Sequence, residues 1–280
     1  MAEVSPTFNR QRVERAFDAM VRENRSLFGI VVPTVGVAML LASTESILPA
    51  LLSFDSSLIL IGVVAMRLPL IAGLLPLIDR KAATALVVLA VYSYGIEYVG
   101  ITTGVPYGQF SYGVDLGPLL FSKVPLGLPI FFIPIVANCC LLWLLLLDER
   151  PDRTFIWSSI IAVIGMDLIL DPAAVALGFW SYSGGLYYGV PISNYLGWIV
   201  SATVAVVIFN WGFEQTAVLE RLHHCEFMLD SLTAFVIFWG TINAYLGHLL
   251  PVAITGLFGL GLMKVDRFIP HSIYQFKLKR

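Results

Sequence analysis

Apolar residues run along this chain in blocks of about 16 to 26, separated by short charged or Gly- and Pro-rich stretches. A helix needs about 20 consecutive apolar residues to cross a bilayer, so the pattern predicts an all-α, polytopic membrane bundle. With the ends marked by charges and turn residues, spans fall at Leu27–Thr44, Ser56–Ile78, Ala82–Thr103, Val124–Leu147, Thr154–Phe179, Tyr195–Phe213, Ser231–Gly247 and Leu249–Met263. The last two are short. Residues 231–263 also read as one bent segment, which makes seven spans instead of eight.

Charge favours eight. That count puts Arg10, Arg12, Arg15, Arg22, Arg25, Arg80, Lys81, Arg150, Arg153, Arg221, Lys264, Arg267, Lys277, Lys279 and Arg280 on one side, 15 of the 17 basic residues. Only Arg67, inside the second span, and Lys123, at the start of the fourth, stand apart. The positive-inside rule then makes both termini cytoplasmic in a multi-pass protein of the cell membrane. Residues 1–26 are polar and Arg-rich with no cleavable apolar core. Val13, Ala16, Phe17, Met20 and Val21 recur there at helical spacing, which predicts an amphipathic helix on the cytoplasmic leaflet. Residues 27–263 form one transmembrane catalytic domain, and 264–280 a basic tail.

Composition agrees. The chain is 58% hydrophobic and 13% charged, about half the roughly 25% charge of a soluble domain, which excludes a water-soluble globule. A net charge of −2 speaks against a nucleic-acid partner. Cys139 and Cys140 sit together in an apolar run, far from Cys225, and make no metal or disulfide framework. His223, His224, Cys225 and Glu226 are adjacent positions in a cytoplasmic loop with no second cluster, so no metal site is expected.

Two outer loops stand out. Residues 104–113 and 180–191 are both rich in Gly, Pro and Tyr, and both contain Gly-Val-Pro. Each follows a span with buried acids. Ionisable groups inside a span cost several kcal/mol unless paired or hydrated, and here they are Arg67, Glu97, Asp167 and Asp171. Glu97 lies roughly 9 Å below the outer end of its span. Asp167 and Asp171 are four residues apart and share a helix face. Three carboxyl groups can therefore converge in the outer half of the membrane, with Arg67 deeper as a possible ion-pair partner. A buried cluster of acids tends to hold at least one proton, and a protonated acid beside an ionised one is the equipment of general acid–base catalysis.

Glu97-Tyr98-Val99-Gly100 through Ser111-Tyr112, with Leu116-Gly117-Pro118 and Val124-Pro125, resembles the membrane carotenoid hydratases, which add water to the acyclic ends of carotenoids. Asp167-Leu168-Ile169-Leu170-Asp171-Pro172, Gly178-Phe179-Trp180 and residues 189–198 are similar to the same family. The resemblance covers about residues 92 to 200 and is closest to the archaeal branch, which completes the pigment bacterioruberin. It implies an acyclic carotenoid and water as substrates, the bilayer as surroundings, other membrane enzymes of the pathway as candidate partners, and no cofactor. Chemistry assigns the roles: Asp171 or Glu97 as proton donor, Asp167 as its ionised partner, and Tyr107, Tyr112, Trp180, Tyr187, Arg67 and Asn194 as candidate substrate-binding residues.

Other readings compete. A carotenoid cyclase also begins with protonation but leaves the substrate mass unchanged. A prenyltransferase would use Asp167-x-x-x-Asp171 as half of a magnesium-diphosphate site, without the second acidic motif such enzymes need. A proton-coupled transporter could use buried acids, but the two Gly-Val-Pro loops lie on one side, against an inverted repeat. A retinal-type photoreceptor would need a lysine inside a late span.

Overall fold

In the computed structural model, which describes residues 6–48, 56–148 and 153–269, helices alternate with loops that carry two small antiparallel ribbons. Helix α1 (Pro6–Glu23) leads through a π-helical turn (Leu27–Val31) into α2 (Val32–Thr44). Next come α3 (Ser56–Leu74), ending in a tight turn at Leu75–Leu77, and α4 (Arg80–Thr103). Strands β1 (Phe110–Tyr112), β2 (Leu119–Leu120) and β3 (Val124–Pro125) precede α5 (Leu128–Leu147) and α6 (Arg153–Ala176). Strand β4 (Trp180–Tyr182) is followed by α7 (Ile192–Gly212), α8 (Gln215–His224), α9 (Asp230–Tyr245) and α10 (Leu249–Lys264).

Among the described residues, six helical segments are long and apolar enough to cross a membrane: Leu27–Thr44, Ser57–Leu77, Arg80–Thr103, Leu128–Leu147, Arg153–Ala176 and Ile192–Gly212. Helices α9 and α10 are apolar but have 16 residues each, about 24 Å at 1.5 Å per residue. They fold back on each other across a turn at Leu246–His248 rather than forming one bent segment. Ile61, Val91, Trp157, Ile161, Leu196 and Leu257 point outwards and are more than half exposed. An apolar exterior of this extent suits hydrocarbon, not water. Helix α5 is the hub: every residue from Ile135 to Leu142 is buried, so neighbours surround it on all sides.

The span ends shift where local structure takes over. Val124–Pro125 pairs with Leu119–Leu120, so the fourth span begins at Leu128, behind Pro129 in the first helical turn. The fifth ends at Ala176, before Gly178 in a left-handed conformation. Residues 215–224 form helix α8 where the sequence predicts only a loop, started by Glu214, which accepts hydrogen bonds from the Thr216 and Ala217 amides. Ten mixed residues leave no signature in a search for long apolar runs.

The arginine-rich end is tied together by ion pairs. Arg25 donates to both carboxylate oxygens of Asp230 at 2.9 and 3.0 Å, and to Glu226 at 2.8 Å. Asp18 pairs with Arg22 and Arg221, and His223 with Asp148 at 3.2 Å. Arg10 caps the Ile78 carbonyl at 2.8 Å. Val21 is fully buried while Val13 and Met20 stay exposed, so α1 docks by one edge only. Arg150 and the tail's Lys277, Lys279 and Arg280 lie outside the described residues.

Because the Asp230 side chain is fully buried, Asp230→Asn is expected to cost roughly 3–5 kcal/mol, the penalty of breaking a buried ion pair. Glu226→Gln, at the exposed side of the same arginine, should be close to neutral. Thermal unfolding of the two variants in detergent measures the difference.

Candidate active site

Helix α6 supplies two acids on one face, Asp167 and Asp171, both buried. Pro172 follows at once, lacks an N–H, and leaves the Leu168 carbonyl four residues back without its helical partner. The Tyr187 hydroxyl takes that carbonyl at 3.2 Å, and the Asn243 amide donates to Ile169 O at 2.8 Å. Side chains thus satisfy the backbone that proline disturbs, as an apolar surround requires.

Asn194, in the first turn of α7, holds the two acids together. Its Nδ2 donates to Asp171 Oδ2 at 2.5 Å and to Asp167 Oδ2 at 3.1 Å, while its Oδ1 accepts from the Tyr182 hydroxyl at 3.0 Å. Asp167 Oδ1 is buried without a hydrogen-bond partner. Glu97, on α4, accepts a hydrogen bond from the Tyr112 hydroxyl.

Both tyrosines come from one ribbon. Strand β1 reads Phe-Ser-Tyr and β4 reads Trp-Ser-Tyr, and they pair with Ser111 opposite Ser181. Side chains alternate across a strand, so Phe110, Tyr112, Trp180 and Tyr182 face inwards and both serines face out. The two loops thereby form a single aromatic ceiling over the acids. Burial first, then the Glu97 carboxyl, holds the Tyr112 hydroxyl well above the ordinary tyrosine pKa. Burial, then Asp171, Asp167 and Glu97, does the same for Tyr182. Both stay neutral donors.

Below this ceiling lies a cavity with about 1440 Å³ of atom-free space, part of it open to the outside. Phe131, Phe132, Phe179, Trp198, Phe238 and Trp239 are among its walls, and Glu97, Asp171 and Asn194 form its polar end. Tyr107, Tyr112, Trp180 and Arg67 also line it. Asp167 stands behind the wall, reached through Asn194. Tyr187 lies outside the lining, on the Leu168 carbonyl. Arg67, a possible ion-pair partner for these acids by its depth, pairs with none of them: it donates to Ser231 Oγ at 3.1 Å instead. Tyr107 is fixed by close approach. A Cβ at Gly197 or Gly100 would come within 2.5 or 2.9 Å of its ring, and its hydroxyl meets Ser201 at 2.5 Å. Tyr182 and the phenylalanine walls were not singled out in the sequence. The repeated aromatic-Ser-Tyr triplet is the signal that points to Tyr182.

A family profile described as "Carotenoid biosynthesis protein" matches residues 54–262, which includes the acids, Asn194, Arg67 and the aromatic residues named above. The chain belongs to the carotenoid biosynthesis protein family. A bisanhydrobacterioruberin hydratase from Haloarcula japonica is 50% identical over 254 residues, covering 90% of this chain and 87% of that protein. No solved structure matches the chain. For this family member, the candidate site is an apolar, aromatic-walled cavity whose lining includes two acids, Glu97 and Asp171, beside neutral amide and hydroxyl donors.

The ceiling tyrosines carry a pH signature. Unfolded tyrosines ionise near pH 10, whereas Tyr112 and Tyr182 keep their protons beyond that in the fold. Stability contributed by these groups is therefore intact below about pH 10 and declines as pH rises further. Ultraviolet titration of the folded protein should give the same tyrosinate signal below about pH 11 in wild type, Tyr112→Phe and Tyr182→Phe.

Proposed function

We propose that this chain is a carotenoid hydratase that adds water across the terminal double bond of an acyclic carotenoid end group, giving a tertiary alcohol in the closing step or steps of bacterioruberin biosynthesis. The observation that carries this reading is the meeting of the aromatic-walled cavity with Glu97, Asp171 and Asn194 at one end. An apolar polyene fits the walls, and only its tip meets acid.

Hydration begins when an acid delivers a proton to the less substituted alkene carbon. The π pair forms the new C–H bond and leaves a tertiary cation. A water oxygen donates a lone pair to that cation, and the oxonium loses a proton to a carboxylate. No electrons are exchanged with a cofactor. Asp171 is assigned as the acid, since it lines the cavity and shares the Asn194 amide with Asp167, whose carboxylate takes the ionised role. Glu97, held by Tyr112, orients the water and receives its proton, and transfer of that proton back to Asp171 restores the acid for the next turnover. Trp180, Tyr112 and Phe179 offer π faces that stabilise the cation without capturing it. Eight spans with both termini cytoplasmic complete the reading: α9 and α10 act as the last two crossings, and the acid end faces away from the cytoplasm in the cell membrane.

Expressed in a host that accumulates the acyclic precursor, the wild type should yield pigment heavier by one water per reacted end. A product of unchanged mass would point to cyclisation. Asp171→Asn and Glu97→Gln should each lower hydration by about 100-fold or more while inserting normally. Wild-type rates from both variants would remove these acids from the mechanism.

A further inference from the structure

Arg67 is a buried cation that the proposed acid–base steps do not use. It is 5% exposed and lines the cavity. Its Nη1 donates to Ser231 Oγ at 3.1 Å, which also accepts from Asn138 at 3.4 Å, and its Nε has no hydrogen-bond partner. Among the described residues no carboxylate lies within ion-pair distance of it. Counted at 1.5 Å per residue from Ser56 on α3 and from Thr103 on α4, Arg67 sits roughly 8 Å deeper than Glu97. The cavity therefore has carboxyl groups at one end and an uncompensated guanidinium further in, and a guanidinium keeps its proton in proteins.

A buried charge with no carboxylate beside it among the described residues needs a purpose. The proposed substrate class supplies one, and the inference rests on that reading. In an acyclic carotenoid the terminal double bond stands apart from the conjugated polyene. Protonating the polyene gives a delocalised cation, which is easier to form than the tertiary cation at the tip. Left to its own reactivity, the guest would be protonated in the wrong place.

We propose that Arg67 sets where positive charge can form along the bound polyene, holding the conjugated segment unprotonated and confining reaction to the terminal double bond. With the tip among the acids, the conjugated part extends past Arg67, where a cation meets a fixed like charge. At the effective dielectric of a protein interior, moving a unit cation from about 5 Å to about 13 Å from such a charge changes its population roughly 30-fold. Arg67 is thus a specificity-determining residue and takes no part in proton transfer.

Regiochemistry tests this. Terminal hydration leaves the visible spectrum unchanged, because the reacting bond is outside the chromophore. Protonation within the polyene followed by capture of water removes a conjugated double bond and shifts the absorption to the blue, whereas loss of a proton from the same cation re-forms a double bond and gives an isomer of unchanged mass. Arg67→Met removes the charge at similar size. Ser231→Asp keeps the arginine and neutralises it in place, so that insertion does not depend on an emptied polar site. Both should raise the ratio of blue-shifted product to terminal hydrate by about 30-fold, while Arg67→Lys keeps terminal regiochemistry whatever its rate. Terminal hydrate alone from Arg67→Met and Ser231→Asp, at any rate, would overturn the proposal and leave Arg67 a packing residue. If the wild type makes no hydrate, the hydratase reading fails first, and the two failures are distinguishable.

Discussion

Placing the buried Asp167 and Asp171 and the partly buried Glu97 in an apolar bundle costs several kcal/mol for each charge that finds neither partner nor proton. Among the described residues none of the three has a cation within ion-pair distance. The acids are served instead by neutral donors: the Asn194 amide for the aspartates and the Tyr112 hydroxyl for Glu97. A lysine or arginine in that place would hold the carboxylates ionised and spoil them as acids. An amide gives one oxygen of each aspartate a hydrogen bond without fixing a charge beside it. Most of the local architecture follows from supplying such donors without supplying charge.

The ceiling is one consequence. Tyr112 and Tyr182 come from loops some seventy residues apart and reach the acids because β1 and β4 pair. Two strands of three residues have little stability alone, so the ribbon persists through what it covers: Tyr112 on Glu97, Tyr182 on Asn194, and the Trp180 ring edge-on to Tyr112. Pro172 is another consequence. It disturbs α6 beside Asp171, and the Leu168 carbonyl that it frees anchors the second loop through Tyr187. Ceiling and acids are thus coupled through the backbone of one helix.

Much of this was legible in the sequence, for reasons that differ by residue. Hydropathy located the long spans within a few residues because lipid leaves every backbone group to be paired internally, and an apolar run has few other uses. The depths of Glu97, Asp167 and Asp171 followed from counting along helices; Glu97 and Asp171 line one cavity, and Asp167 stands behind it, joined to Asp171 through Asn194. Counting gives depth but not rotation. Arg67 lies at a plausible depth for Asp167, yet α3 turns it towards Ser231 on α9. Tyr187, chosen as one loop tyrosine among several, went to a carbonyl that only the proline geometry exposes. The ribbon was hidden because three-residue strands carry no periodicity. Helix α8 was hidden because ten residues with Glu, Arg and His resemble a loop by hydropathy.

Those rotations decide what the site is. Had Arg67 met Asp167, the pair would have neutralised itself, and Asp171 would have been left beside a salt bridge with no reason to share a proton. With Arg67 held by Ser231, the acids face one another through Asn194 and the positive charge stands alone along the wall. The proposed hydration makes two opposite demands of one apolar slot: acidity where the guest ends, and resistance to positive charge where it is most easily protonated. A soluble protein would quench both with water. The bilayer-facing bundle leaves the charges unscreened, so that a few residues separated by one or two helical turns set the electrostatics of the whole cavity.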